Sequence, residues 1–205
     1  MQTYPLFASY IYTFQVTENT DRLKDHKETY KDVSKDVSYE SGNASISRNL
    51  RVLEKYPKIK RNFIEKFKKI AKEEYEYNEE FVITTSWFTK TEKGQYSNMH
   101  LHTNSFYSGV YYYDEYTDDS SACKYESPLV AFPSYTMVPR EYNLKNSMNW
   151  RIFPKKNLLV FFPSYIKHMI EPNIEDVTRY SLAFNIAPKG PYGEEDSTYN
   201  PEWLK

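Results

Sequence analysis

From Glu80 to Ile186 the chain keeps returning to a two-residue period, and that period most restricts its fold. In EEFVITTSWFTK, Phe81, Ile83, Thr85 and Trp87 recur at every second position, as they do on one face of a half-buried strand. Apolar extended runs follow at SFYSGVYYYD, WRIF, NLLVFF, YIKHMI and TRYSLAFNI, with shorter strands expected at Leu129–Phe132 and Tyr135–Val138. Turn residues separate them at Glu92–Gly94, Lys156–Asn157, Pro163–Ser164 and Pro172–Asn173. About eight short strands at this spacing predict a mainly β chain folded as a double-sheet barrel or jelly roll. With 18% aromatic residues, 21 of the residues being Tyr, the core suits sheet packing better than a helical bundle.

The segment before Glu80 reads differently. Tyr4, Leu6, Tyr10, Tyr12 and Phe14 alternate loosely, as a strand or small hairpin broken near Pro5. Residues 17–43 are polar, with KDVSKDVS nearly in tandem, and read as a surface excursion. Ile46, Leu50 and Leu53 are spaced for a short helix ending before Pro57. Pro57 opens a second helix with Ile59, Phe63, Phe67, Ile70 and Ala71 as its apolar stripe. Its Lys58, Lys60, Arg61, Lys66, Lys68 and Lys69 are offset by Glu65, Glu73 and Glu74, so that face is expected to be solvated rather than anion-binding. These N-terminal helices should support one sheet. The polar loop 115–127 reads as a cover over a site mouth, and the turn-rich tail from Pro188 as a surface wrap. The whole reads as one domain: 1–79 N-terminal strand and helices, 80–187 barrel, 188–205 tail.

A formal charge of −1 supplies no general footprint for nucleic acid. A single cysteine, Cys123, excludes an internal disulfide and suits the reducing cytoplasm. The N-terminus lacks the basic and apolar regions of a secretion signal, and no apolar run reaches membrane-spanning length. Exposed aromatic strands are compatible with a homodimer.

Three of the four histidines fall in the apolar extended runs. His100 and His102 are two apart, so in an extended segment they point the same way, with Asn98 and Asn104 beside them. His168 arrives in YIKHMI, whereas His26 lies in a charged stretch and reads as incidental. Buried imidazoles need a partner at each ring nitrogen, and a metal ion supplies one; neutral imidazole suits Fe, Zn, Cu and Ni. The competing reading is three core or surface histidines and no metal. Arg179 follows His168 by eleven residues and shares a strand face with Ser181. A guanidinium in an apolar strand needs an anion, best a carboxylate held bidentately. No acidic residue lies in the apolar part of that strand, so the carboxylate comes from another strand or from a small molecule.

At these residues the chain resembles the Fe(II)/2-oxoglutarate-dependent dioxygenases, and more closely the family named putative 2-oxoglutarate-Fe(II) oxygenases, found in bacteria and their phages. The resemblance is carried by His100–His102, the SGVYY of Ser108–Tyr112, Phe162–Ser164 with His168, Arg179–Ser181 and Phe184–Asn185. It implies a double-stranded β-helix, with Fe(II) and 2-oxoglutarate as cofactors. It also implies hydroxylation of a small-molecule or peptide substrate by O2, with release of succinate and CO2. It makes His100 and His168 iron ligands and Arg179 the partner of the cosubstrate's C5 carboxylate, helped by Ser181, Ser108 and Tyr112. Asn98 and Asn185 would support that shell from behind.

One position departs from the pattern. The usual iron triad has a carboxylate two residues after the first histidine, where this chain has His102. A three-histidine centre of His100, His102 and His168 is therefore expected; a halide-binding variant needs a small residue there. Two other classes stay open: a cupin-like three-histidine metalloenzyme without 2-oxoglutarate, and a degenerate barrel acting as a binding or structural module.

Overall fold

The computed structural model describes residues 1–4, 8–18, 20–32, 43–129 and 138–204. The strands expected near Leu129–Phe132 and Tyr135–Val138, and most of KDVSKDVS, lie largely outside these residues. The strands are β1 Tyr12–Gln15, β2 Tyr30–Asp32, β3 Ser45–Ser47, β4 Glu80–Thr91, β5 Tyr107–Tyr112, β6 Cys123–Glu126, β7 Asn149–Ile152, β8 Leu158–Pro163, β9 His168–Ile170 and β10 Arg179–Lys189. Among the described residues one α-helix, α1, spans Pro57–Glu74. Seven strands form a major sheet in the order β1-β8-β5-β10-β4-β3-β2, and three form a minor sheet, β7-β6-β9. All neighbouring pairs are antiparallel. The fold is a mainly β double-stranded β-helix. Among the described residues no helix is long and apolar enough to cross a membrane.

The helix forms where the apolar stripe predicts it. Pro57 sits in its first turn, where a missing N–H costs nothing. Phe63, Phe67, Ile70 and Ala71 are buried on one face of the major sheet. Phe63 stacks on Phe184 with centroids 5.4 Å apart, and Phe67 meets Phe81, Tyr107 and Phe161 at 5.1, 5.0 and 5.8 Å. The outer face carries ion pairs such as Lys68–Glu65 at 3.1 Å and Lys69–Glu73 at 3.8 Å, as a solvated face does.

Alternation then divides each central strand between helix and cavity. Tyr107 and Tyr111 of β5, and Leu182, Phe184 and Ile186 of β10, pack toward α1. Ser108, Val110, Tyr112, Arg179, Ser181 and Ala183 line the opposite side. Gly109 is required by this packing, because a Cβ there would stand 2.2 Å from the Phe184 ring.

Two sequence expectations fail here. Phe81, Ile83, Thr85 and Trp87 do not share a face, because the β4–β10 register shifts between Asn185 and Ile186. The extra residue inverts the alternation: Phe81 and Ile83 join the core cluster before the bulge, and Phe88, an even position with Ser86, joins it after. Trp87 therefore lines the cavity. The short helix expected from Ile46 to Leu53 is instead β3, followed by a single 3-10 turn at Val52–Lys55. Pairing with β4 wins over the weak helical spacing: Ser47 Oγ accepts the Phe88 N–H at 3.0 Å, and Ser86 Oγ accepts that of Leu53 at 2.9 Å. His26 is not incidental either. Its ring stacks on Phe88 at 3.9 Å and hydrogen-bonds Tyr30 Oη at 3.0 Å, which makes it part of the packing.

Candidate active site

Between the sheets lies a cavity of about 340 Å³, lined from both of them. Its walls carry His100, His102 and His168 together with Arg179, Ser181 and Tyr112. His168 begins β9, while His100 and His102 precede β5 on an irregular segment rather than in the strand the sequence suggests. Backbone pairing holds that segment in place. His100 and His168 exchange N–H···O bonds of 3.0 and 2.8 Å, and the His102 N–H donates to Ser164 O at 3.0 Å.

One ligand nitrogen from each histidine lies within 4.8 Å of the others, so the three converge on one point, and a small inward movement brings them to metal–nitrogen distances of ~2.1 Å. The ring centroids are 4.4 Å apart for His100–His168, 5.2 Å for His100–His102 and 5.1 Å for His102–His168. His100 Nδ1 lies 2.7 Å from the Asn98 carbonyl, and His168 Nδ1 3.0 Å from that of Ile166. A carbonyl only accepts, so each Nδ1 carries the proton and each Nε2 keeps its lone pair for a ligand. Burial lowers the pKa of all three histidines: His102 is pulled to about 4 with help from His100, and His168 lies well below the usual range. Neutral imidazoles in this number and spacing fit a divalent metal.

Arg179 is 4% exposed, and among the described residues no carboxylate pairs with it. Its Nε donates to Ser121 O at 3.1 Å and its Nη1 to Ser181 Oγ at 3.5 Å. Among the described residues no well-formed hydrogen bond reaches Nη2 or the nearby hydroxyls of Tyr112 and Tyr125. The Tyr112 ring lies 5.3 Å from the guanidinium carbon, and burial raises its pKa, so it remains a phenol. A buried guanidinium with a free N–H and neighbouring hydroxyls fits one carboxylate of a small dicarboxylate such as 2-oxoglutarate.

The other expected residues are placed unevenly. Ser108 lines the cavity but lies four positions from Tyr112 along β5, about 13 Å at ~3.3 Å per residue. It therefore stands away from Arg179 and bonds Ser164 Oγ at 2.8 Å and Asn185 Oδ1 at 2.9 Å. Asn185 stays behind Ser108, donating to Thr85 Oγ1 at 3.0 Å. Asn98 contributes its backbone carbonyl to His100, not its side chain. Asn104 is exposed with φ of +56°, a turn that ends the alternation placing it beside the histidines.

Three contributors escape the sequence reading. Trp87 reaches the cavity through the bulge and lies 5.6 Å from His102, ring to ring. Cys123 and Tyr125 come from the loop read as a cover, which in fact supplies β6, the centre of the minor sheet. Their alternation with Lys124 and Glu126 was the available signal. Burial pushes the Cys123 thiol up to about 11, which leaves it a protonated wall residue.

A family model described as "Putative 2OG-Fe(II) oxygenase" matches residues 85–185. Solved structures of similar fold include a prolyl-4-hydroxylase from Pseudomonas putida, with TM-score 0.56 and 14% identity over 88% of this chain and 93% of that one. The viral collagen prolyl hydroxylase of Paramecium Bursaria Chlorella virus-1, in its 2-oxoglutarate complex, gives 0.51 and 16% over 86% and 95%. HygX from Streptomyces hygroscopicus, with nickel, 2-oxoglutarate and hygromycin B bound, gives 0.54 and 11% over 88% and 84%. At such identities the likeness is one of fold. No curated protein matches the chain. The matched segment, just under half of the chain, spans all three cavity histidines and Arg179, and it belongs to this 2-oxoglutarate-Fe(II) oxygenase family, whose cofactors are Fe(II) and 2-oxoglutarate.

Proposed function

We propose that the protein is a hydroxylase in which His100, His102 and His168 hold the iron and Arg179 holds the far carboxylate of 2-oxoglutarate. One observation carries the reading: a buried guanidinium with an unfilled N–H lines the same cavity as three converging neutral imidazoles. Hydroxylation is the reaction named for two proteins of similar fold. When bound, Fe(II) and 2-oxoglutarate would supply the oxidative chemistry, in which O2, the keto acid and a substrate C–H become succinate, CO2 and the hydroxylated substrate, one oxygen atom going to each of succinate and product.

The chain's own residues have three tasks. The Asn98 and Ile166 carbonyls keep the protons of His100 and His168 on Nδ1, so Nε2 faces the metal position. Arg179, steadied by Ser121 O and the Tyr112 ring, orients the keto acid by its far end, with Ser181 and the Tyr112 hydroxyl completing the carboxylate's shell. Val110, Phe162, Ile170 and Trp87 give the cavity apolar walls, which thin out water and strengthen each polar contact inside. Ser108, Ser164 and Asn185 form a hydrogen-bonded chain that braces the segment carrying His102.

The deciding experiment is an anaerobic titration with Fe(II) and then 2-oxoglutarate, following the visible metal-to-ligand charge-transfer band. Wild type should develop the band, and Arg179→Ala should need far more 2-oxoglutarate to reach it. Iron binding with no band would leave a three-histidine metal site that does not use the keto acid. No iron binding would remove the oxygenase reading altogether.

A further inference from the structure

The cavity holds more positive charge than the cofactors neutralise. Among the described residues its lining contains no Asp or Glu, but it contains two permanent cations, Arg179 and Lys31. In the usual iron triad one ligand is a carboxylate, and His102 stands at that position here. A divalent metal and a doubly negative 2-oxoglutarate cancel, so with Arg179 paired to the keto acid's far carboxylate the described lining still keeps a net positive charge, and Lys31 is the cation left for a second anion. Lys31 forms no ion pair among the described residues.

Strand register locates the second cation. Ser181 pairs with Thr89, Thr89 with Ile46, and Ile46 with Lys31, so one cavity-facing row runs from β10 across β4 and β3 to the outermost strand, β2. At ~4.8 Å per strand, Lys31 lies about 10 Å beyond Thr89 and about 14 Å beyond Ser181. The space between is apolar, formed by Ile46, Leu50, Ala44 and Trp87, and Trp87 leads directly to His102.

We infer that the substrate is a small anion whose carboxylate is held by Lys31 at the outer end of the cavity. Its apolar body lies along Ile46, Leu50 and Trp87, pointing its far end at the histidines. The row sets the length: the two strand spacings from Lys31 to Thr89, about 10 Å, call for a carboxylate and a reacting carbon about 8–10 Å apart. A cavity of about 340 Å³ shared with 2-oxoglutarate has room for a small molecule or one side chain. This inference rests on the oxygenase reading of the same site.

The test uses full-length protein loaded with Zn(II) and 2-oxoglutarate, so that nothing turns over, and compares 4-phenylbutyrate with its neutral amide by calorimetry. Binding of 2-oxoglutarate is measured first; if it fails, the underlying reading fails and takes this one with it. With 2-oxoglutarate bound, the acid should bind about tenfold or more tightly than the amide. Lys31→Met should bring the two within about twofold, and Lys31→Glu should favour the amide, with 2-oxoglutarate affinity unchanged in both. Equal binding of acid and amide by wild type, binding of neither, or a preference that survives Lys31→Met would overturn the proposal.

Discussion

The two faces of the major sheet are made by the same strands and follow opposite rules. Toward α1, Tyr111, Phe161, Leu182 and Phe184 are fully buried among aromatic neighbours and close the space completely. Toward the minor sheet, the alternate residues Ser108, Ser181, Thr89 and Arg179 are nearly as buried, yet they surround a cavity. One face uses burial to stabilise the fold. The other spends part of that stability on polar groups kept without full partners, which is the usual state of a site that awaits a ligand.

This contrast makes mutations on the two faces separable. The largest effect should come from Phe67→Ala, which deletes a ring in contact with four aromatic neighbours and should cost about 3–5 kcal/mol of unfolding free energy in denaturant melts. Affinity for 2-oxoglutarate in whatever protein remains folded should be unaffected. Arg179→Met should do the reverse. It removes a buried charge that has no ionic partner among the described residues, so thermal stability should hold or rise, while 2-oxoglutarate binding weakens by about a hundredfold or more. A drop in melting temperature without loss of binding would assign Arg179 to the core instead.

Gly109→Ala probes the boundary between the faces. Its methyl would enter the Phe184 ring from the cavity-bearing strand, and overpacking of this kind costs about 1–3 kcal/mol. Trimming the ring with Phe184→Leu should recover part of that loss, which a double-mutant cycle would measure.

A graded effect follows from pH. Unfolded histidines titrate near 6.5, but in the fold His100, His102 and His168 are lowered, His102 to about 4. Below about 6.5 the unfolded chain therefore binds more protons than the native one, and stability of the metal-free protein should decline as pH falls toward 4. Urea midpoints measured between pH 7.5 and 5 should show this slope, and His102→Gln should flatten it. The smallest effect belongs to the solvated side of α1. Lys69→Ala breaks an exposed pair with Glu73 and should change stability by less than about 0.5 kcal/mol.

Much of the active-site reading needed only local information. His100, His102, His168, Arg179 and Ser181 are recognisable because polar residues at fixed spacing inside apolar runs are costly unless something binds them. Ser108 shows the limit of that logic: it faces the cavity as alternation requires, but strand length sets it far from Arg179. Cys123 and Tyr125 were hidden because four residues of alternation inside a polar stretch is a weak signal, and only pairing with β7 and β9 makes them a buried strand.

The sequence by itself determined the α1 stripe, the two-residue period of the barrel, and the set of histidines and arginine that must be satisfied together. These follow from hydrophobic spacing and the cost of burying polar groups, both of which act residue by residue. Tertiary structure alone decided the bulge opposite Asn185–Ile186 that turns Trp87 into the cavity, and the choice of strand over helix at Ile46. It also decided the row that ends at Lys31. Each of those depends on which distant strand supplies the backbone hydrogen bonds, and a shift of one residue in that pairing exchanges the two faces.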